Sequence, residues 1–229
     1  MSGIAWLRKT DPPEALPASS RALAEPNGLL AVGGALTPEW LVHAYRHGVF
    51  PWYSAEQPIL WWAPDPRAIL MPAEFRVSRS LARSIRNRGY RTRIDKAFEA
   101  VVDACAGPRR GGAGTWITDE MRDAYVELHR RGYAHSIETW KDDRLVGGLY
   151  GVAIGRVFFG ESMFTRERDA SKVALERLAR ECLRLDVALI DCQLPSPHLA
   201  SLGSRNLPRR DFEAELAGLV DTGPRLWRR

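Results

Sequence analysis

The sequence has few cysteines and no long apolar run. Its three cysteines include no Cys-x-x-Cys pair, which argues against a disulfide framework. No apolar stretch approaches the roughly 20 residues that span a bilayer. The first 24 residues do not show a charged start followed by an apolar block, so we expect no signal peptide. These absences predict a cytoplasmic protein without a membrane segment.

Several common catalytic signatures are also missing. The sequence contains no Gly-x-Ser-x-Gly, no Gly-rich phosphate loop ending in Lys-Ser/Thr and no strand-linked Gly-x-Gly-x-x-Gly. His43 and His47 have a helical metal-binding spacing, but no third ligand accompanies them, and we expect no metal site. A Ser–His–Asp triad stays open because five histidines are present, although nothing in the sequence positions one.

The composition is that of an ordinary globular protein. The chain has 229 residues, of which 45% are hydrophobic and 27% are charged, enough for one large domain or two smaller ones. Pro64-Asp65-Pro66 ends an apolar strand and is typical of a boundary. We therefore expect a small N-terminal α/β domain over 1–66 and a larger domain over 67–229. The first 24 residues of the small domain show little pattern and are expected to form a loose lead-in.

The larger domain has the pattern of an α+β fold. Three consecutive strands read as an antiparallel meander, a long amphipathic helix follows, and a buried strand then returns beside them. We place these elements at 134–140, 144–154, 156–164, 170–185 and 187–193. This order suggests an acyltransferase of the N-acetyltransferase kind. However, the loop 165–172 has no glycine and carries two acids, so we expect no coenzyme A site there.

A basic stretch precedes the meander. Six arginines and no acid lie between positions 76 and 91. Arg79, Arg83 and Arg86 share one face of a predicted helix, which indicates binding to phosphates, whereas a solvated helix face is the alternative. Trp52 and Trp116 lie at loops, where they either stack on nucleic-acid bases or pack in the core.

Two strands end in polar groups. The first carries Glu161, and the second ends at Asp191 and Gln193, which share one face by simple alternation. A buried carboxylate and amide are costly unless they are used, so a reaction site is one interpretation. A polar strand end with satisfied hydrogen bonds is the other.

The chain resembles the leucyl/phenylalanyl-tRNA–protein transferase family in an ordered set of motifs between about residues 25 and 215. Each motif is weak alone, but the ordered set is specific. The motifs are Asn27-Gly28-Leu29-Leu30-Ala31-Val32-Gly33-Gly34, Gly48-Val49-Phe50-Pro51-Trp52-Tyr53, Ile59-Leu60-Trp61-Trp62-Ala63-Pro64-Asp65-Pro66-Arg67, Gly114-Thr115-Trp116-Ile117-Thr118, His135-Ser136-Ile137-Glu138, Val146-Gly147-Gly148-Leu149-Tyr150-Gly151, Phe159-Gly160-Glu161-Ser162-Met163-Phe164, Ala170-Ser171-Lys172, Ile190-Asp191-Cys192-Gln193 and Ala200-Ser201-Leu202-Gly203.

The resemblance implies an enzyme that takes Leu, Phe or Met from aminoacyl-tRNA. It would attach that residue to the α-amino group of a protein beginning with Arg or Lys, producing a destabilising N-terminus of the bacterial N-end rule. The C-terminal domain would be N-acetyltransferase-like (GNAT-like) and use no coenzyme A or other cofactor. We expect a monomer.

The resemblance also implies residue roles. Asp191, Gln193 and Glu161 would serve catalysis, and in the family's scheme Asp191 polarises Gln193, which draws on the amine proton. Because an amide is a poor base, we expect instead that Gln193 orients the amine while Asp191 or the leaving ribose oxygen takes its proton. Glu161 would pair with the acceptor's cationic side chain or with its amine. Trp52 and Trp116 would surround the 3′-terminal adenosine. The apolar pocket for the transferred side chain would comprise Leu149, Phe158, Leu175, Leu178 and Ile190.

Two features depart from the family pattern. Asp169 stands where Asn is familiar, and Leu149 stands where Met is familiar. Ile190 should face away from Asp191 by alternation, so either a bulge lies there or its pocket assignment is wrong.

Two rival functions remain: a coenzyme A-dependent N-acetyltransferase, and a non-catalytic tRNA-binding module that gives Glu161, Asp191 and Gln193 no task.

Overall fold

The computed structural model describes residues 3–107, 117–221 and 227. The first part of the chain forms a small sheet of order β1-β2-β4-β3 with one helix packed beside it. Its strands are β1 (Ala5–Leu7), β2 (Leu29–Gly33), β3 (Phe50–Pro51) and β4 (Leu60–Trp62), and its helix is α1 (Pro38–Arg46). The Thr37 side chain caps this helix by accepting a hydrogen bond from the Trp40 amide.

The rest of the chain is built on a second sheet, of order β11-β5-β10-β9-β8-β7-β6. Its strands are β5 (Arg67–Leu70), β6 (Arg91–Ile94), β7 (Ala134–Lys141), β8 (Arg144–Ile154), β9 (Val157–Thr165), β10 (Leu189–Gln193) and β11 (Arg205–Leu207). The helices are α2 (Arg79–Asn87), α3 (Phe98–Ala106), α4 (Asp119–Arg130), α5 (Ala170–Arg184), α6 (Pro197–Ser201) and α7 (Arg209–Val220).

The predicted α+β fold class is confirmed. β7, β8 and β9 form the antiparallel meander, and α5 leads to β10, which pairs in parallel with β9. This is the order expected of a GNAT-like domain. Asp142 and Asp143 adopt the left-handed backbone that a tight hairpin turn requires, with φ of 47° and 55°.

The prediction of a patternless lead-in over 1–24 is wrong. β1 pairs in parallel with β2, in the register Trp6 opposite Val32. A three-residue strand has too few positions to show a period of two, and this pairing depends on contact with a segment distant in sequence.

The hydrophobic core lies on both faces of the large sheet. One cluster contains Trp61 from the small sheet together with Tyr150 and Phe159 from the large one, so it joins the two sheets. A second cluster packs α5 against the opposite face. The division at residue 66 stays a prediction, although the two sheets do separate between Trp62 and Arg67. Within the described ranges, every helix is too short or too polar to cross a membrane.

Candidate active site

A cavity opens where β9 and β10 diverge. The two strands pair only as far as Asp191 opposite Phe159; beyond that point β9 continues along β8 and β10 turns away. The resulting hollow has a volume of roughly 270 Å³ and lies between the two strands, α5 and the start of α6. Polar residues from both strand ends line it, together with apolar residues beneath them.

Glu161 occupies a β-bulge in β9. Tyr150 pairs with Ser162 and Gly151 with Gly160, so Glu161 is the extra residue between them. Such a bulge re-aims a side chain out of simple alternation. The carboxylate accepts hydrogen bonds from the Tyr125 hydroxyl (2.7 Å, at Oε2) and from Nε2 of Gln193 (2.8 Å, at Oε1). The ends of the two strands are therefore linked directly.

A second bulge lies in β10. Asp191 pairs with Ile69 and Gln193 with Ala68, which leaves Cys192 as the extra residue. Gln193 has a left-handed backbone, with φ of 63°, and its backbone N–H donates a hydrogen bond to Oδ1 of Asp191 at 2.9 Å. The predicted simple alternation through Asp191 and Gln193 is therefore wrong, because the bulge resets the direction of the residue that follows it.

Asp191 is held by Arg67. Nε of Arg67 donates to Oδ1 of Asp191 at 2.8 Å, and its Nη2 donates to Oδ2 at 2.6 Å. Both side chains are buried. The guanidinium also lies over the rings of Phe50 and Phe212, with its central carbon 4.9 and 4.8 Å from the ring centroids. Both carboxylate oxygens of Asp191 are thus engaged within the fold.

Glu161 has a carboxyl group suited to proton transfer near neutral pH. Burial raises its pKa to about 7, and the hydrogen bonds from Tyr125 and Tyr45 act in the opposite direction. The Tyr45 and Tyr125 hydroxyls are 2.5 Å apart, and burial raises the pKa of each well above its ordinary value. Both tyrosines therefore remain neutral donors behind the carboxylate.

The structure brings the predicted catalytic and pocket residues together. All eight line the cavity: Glu161, Asp191, Gln193, Leu149, Phe158, Leu175, Leu178 and Ile190. Ile190 belongs to the apolar cluster beneath α5, whereas Asp191 points to Arg67. A bulge is present, but it lies just after Asp191 and not at Ile190. Ile190 lines the cavity from a regular strand position.

The predicted nucleic-acid residues that the structure describes, Trp52, Arg79, Arg83 and Arg86, lie outside the cavity lining. Trp52 is 41% exposed, and its ring centroid is 5.7 Å from that of Trp62. Arg79, Arg83 and Arg86 are exposed on α2, as predicted. Trp116 falls outside the described residues.

Sequence reasoning missed three residues of this site: Arg67, Tyr45 and Tyr125. Arg67 had a usable signal, because a buried strand that begins with arginine needs a carboxylate partner, and the neighbouring strand offers Asp191. The tyrosines had none, since an aromatic residue on the apolar side of a helix is usually a packing residue.

Asp95, His129 and His135 form a cluster whose composition would suit a metal ion. Their ring nitrogens and carboxylate are instead in contact with protein groups. Nδ1 of His135 lies 2.7 Å from the Asp95 carboxylate, and its Nε2 lies 3.2 Å from the Gly132 carbonyl. Nδ1 of His129 lies 2.8 Å from the Ala134 carbonyl. These contacts are those of a hydrogen-bonded network.

Two family models match the chain. The model described as leucyl/phenylalanyl-tRNA protein transferase covers residues 69–217, and that of the N-terminal domain of the same family covers 34–65. A relative named leucyl/phenylalanyl-tRNA–protein transferase from Azoarcus sp. (strain BH72) is 58% identical over 221 residues, which are 96% of this chain and 93% of the relative. Another relative of that name, from Thiobacillus denitrificans, is 61% identical over 205 residues, or 90% of each chain.

The matches among solved structures are more distant. A GCN5-related N-acetyltransferase from Kribbella flavida aligns with 75% of this chain and 61% of its own at 14% identity, with a TM-score of 0.39. A ribosomal-protein-alanine N-acetyltransferase from Brucella melitensis biovar Abortus aligns with 61% of this chain and 97% of its own, also at 14% identity, with a TM-score of 0.37.

The family models and the relatives show that the protein is an enzyme of the aminoacyltransferase class. The chain belongs to the leucyl/phenylalanyl-tRNA protein transferase family, as the sequence motifs predict.

Proposed function

We propose that this enzyme transfers Leu or Phe, and also Met, from aminoacyl-tRNA to the α-amino group of proteins that begin with Arg or Lys. Family membership supports this reaction. One observation carries it: the side-chain amide of Gln193 is hydrogen-bonded to the Glu161 carboxylate at the edge of an apolar cavity. We propose that the enzyme works as a monomer in the cytoplasm, where its tRNA donor is found, and that its products enter N-end-rule degradation.

The cavity is the proposed pocket for the transferred side chain. Its floor is formed by apolar residues of β8, β9, β10 and α5, and its roughly 270 Å³ suit one amino-acid side chain. Burying a Leu, Phe or Met side chain contributes about 1.5–3 kcal/mol. In this position the ester carbonyl would lie at the polar rim, beside Glu161 and Gln193.

Glu161 is the proposed proton acceptor. The attacking α-amine must be neutral, and its pKa of about 8 leaves much of it charged at neutral pH. A carboxyl group whose pKa is about 7 can take this proton and later release it. The neutral amine then attacks the ester carbonyl, and the carbon–oxygen bond to the ribose breaks. The nitrogen gives its second proton to the departing ribose oxygen, and Glu161 releases the first proton to solvent. Since the ester is already activated, the remaining task is orientation.

Gln193 is the proposed orienting residue. Its amide nitrogen donates to Glu161, which leaves the amide oxygen to accept a hydrogen bond from the incoming amine. Asp191 does not suit proton transfer, since Arg67 engages both of its oxygens. We propose instead that Asp191 positions Gln193 by accepting its backbone N–H.

The proposed tRNA surface consists of Arg79, Arg83 and Arg86, with Trp52 and Trp116 near the terminal adenosine. The arginines are exposed and regularly spaced along α2. They would grip phosphates without reading sequence.

The start of α5 argues against coenzyme A as the donor. A helix N-terminus is a natural site for a pyrophosphate. Here the N-cap residue is Asp169, whose carboxylate accepts a hydrogen bond from Ser84 and lies 3.4 Å from Nζ of Lys172. A pyrophosphate bound there would face this negative charge.

A transfer assay tests the proposal. Radiolabelled Leu and Phe, each carried on tRNA, are mixed with enzyme and peptides that begin with Arg, Lys or Ala. We expect label on the Arg and Lys peptides, little on the Ala peptide, and no acetylation when acetyl-CoA replaces the tRNA. Binding of charged tRNA without transfer to any peptide would favour the non-catalytic module, and acetylation would favour the N-acetyltransferase.

A further inference from the structure

We propose that Trp227, near the end of the chain, sets the depth of the amino-acid pocket by holding Phe158 in place. It would thereby tune the choice between Leu and Phe. The inference rests on the proposed function. Trp227 lies beyond the segment that the family model matches, residues 69–217, so it is a feature that the model does not assign.

Trp227 is packed against the outside of the pocket wall. It is 5% exposed and belongs to the same apolar cluster as the pocket residues Leu149 and Ile190. Its ring centroid is 5.3 Å from that of Phe158, at an interplanar angle of 49°. Phe158 itself lines the cavity, whereas Trp227 does not. Trp227 can therefore act on the substrate only indirectly, and Phe158 is a lining residue whose ring it contacts.

Phe158 also packs closely against the backbone of β8. A Cβ atom placed on Gly151 would lie 2.5 Å from Cε1 of Phe158, so the phenyl ring rests directly on the backbone of β8. The ring of Phe158 thus packs against both Gly151 and Trp227. If the indole is removed, Phe158 can withdraw from the cavity, because a void beside a packed ring invites partial collapse.

Trp227 is in turn supported by His135. Their rings stack with centroids 5.3 Å apart and an interplanar angle of 21°. His135 cannot rotate freely, because its ring nitrogens contact the Asp95 carboxylate and the Gly132 carbonyl. Among the described residues the indole N–H finds no hydrogen-bond partner, so ring packing is what holds Trp227.

The test compares the specificity constants for Phe-tRNA and Leu-tRNA in three variants. In Trp227→Ala we expect kcat/KM for Phe relative to Leu to rise about threefold to tenfold, because a deeper apolar pocket gains the larger side chain. Trp227→Phe keeps a smaller ring and should give a lesser shift in the same direction. Trp6→Ala is the matched control, since Trp6 is 74% exposed, and its ratio should equal that of the wild type.

The KM for the acceptor peptide separates a pocket effect from general damage. It should be unchanged in all three variants, since the amine binds at the rim. Equal loss of both specificity constants, with their ratio unchanged, would show that Trp227 is only structural and would overturn the inference. If Trp227→Ala does not fold, Trp227→Phe decides alone: a wild-type ratio overturns the inference. Absence of transfer by the wild type would instead refute the proposed function.

Discussion

Arg67 and Asp191 form a bidentate salt bridge that is closed to solvent, with N–O distances of 2.8 and 2.6 Å. This pair joins the first residue of β5 to the strand end that carries Gln193. Because Oδ1 of Asp191 also accepts the Gln193 backbone N–H, the ion pair and the second bulge form one unit. We therefore assign Asp191 to positioning rather than to proton transfer.

Breaking this pair should damage stability and transfer together. In Asp191→Asn, Arg67 loses its charged partner inside the protein, and removing one partner of a buried pair costs about 3–5 kcal/mol. The double variant Arg67→Met/Asp191→Leu removes both charges, so we expect it to recover most of the unfolding free energy. We expect it to recover little transfer activity, because the backbone N–H of Gln193 still lacks its acceptor. Urea unfolding and single-turnover transfer measure the two effects.

Asp186→Asn is the matched control for this prediction. Asp186 pairs with Arg156 at the surface, where losing a salt bridge costs about 1 kcal/mol or less. If the double variant regains transfer in step with stability, Asp191 matters only for folding.

Gln193→Ala should slow transfer without weakening tRNA binding. The side chain contacts Glu161 at the cavity rim and lies apart from the predicted arginine surface. We expect kcat to fall about 100-fold, as is typical when a positioned polar group is lost at a reacting centre. Gln57→Ala, at an exposed glutamine, should behave as the wild type. A matching loss in tRNA affinity would make Gln193 a binding residue.

The sequence predicts local features of this fold better than its long-range ones. The helix starts at Pro38 and Arg79 and the two meander hairpins follow from capping residues, turn residues and periodicity within short windows. The bulges at Glu161 and Cys192 cannot be predicted from local signals, because a bulge is defined by the register of one strand against another.

The site shows the same division. Its carboxylates and amide were recognisable because polar groups at buried strand ends are costly. The residues that tune them come from elsewhere: Arg67 lies 124 positions from Asp191, and Tyr125 lies 36 from Glu161. Only the tertiary fold brings such partners together, so periodicity could not identify them.

The arginine surface should account for part of the salt dependence of tRNA binding. Each neutralised phosphate contributes about 0.7–0.9 to the slope of log K against log salt. Changing Arg79, Arg83 and Arg86 to Gln should therefore lower the magnitude of that slope by about 2–3. Filter binding of charged tRNA at several salt concentrations measures it.

Three other exposed arginines provide the control for this surface. Changing Arg8, Arg130 and Arg210 to Gln removes the same amount of charge. These side chains are 83%, 66% and 92% exposed, respectively. The control variant should keep most of the wild-type slope. Equal slopes for the two triple variants would place the phosphate contacts elsewhere.

Glu161→Gln should stabilise the protein at high pH. The folded-state pKa is raised to about 7 from an ordinary 4.5, so the stability linked to Glu161 is complete below 4.5 and is lost as pH rises through 7. Relative to the wild type, the variant should thus gain on the order of 2–3 kcal/mol between pH 4.5 and pH 8. Urea unfolding at both pH values measures this gain, with Glu56→Gln as the exposed control. If the difference in unfolding free energy between Glu161→Gln and the wild type is the same at both pH values, the pKa of Glu161 is not raised.

The most direct test of Glu161 as proton acceptor is the single-turnover rate of transfer to an Arg-starting peptide between pH 5.5 and 9. In the wild type the rate should fall as pH drops through about 7, where Glu161 becomes protonated. In Glu161→Gln it should be lower by about 100-fold or more, with only the amine's ionisation near pH 8 remaining. A Glu161→Gln enzyme that keeps the wild-type rate and pH profile would contradict this account.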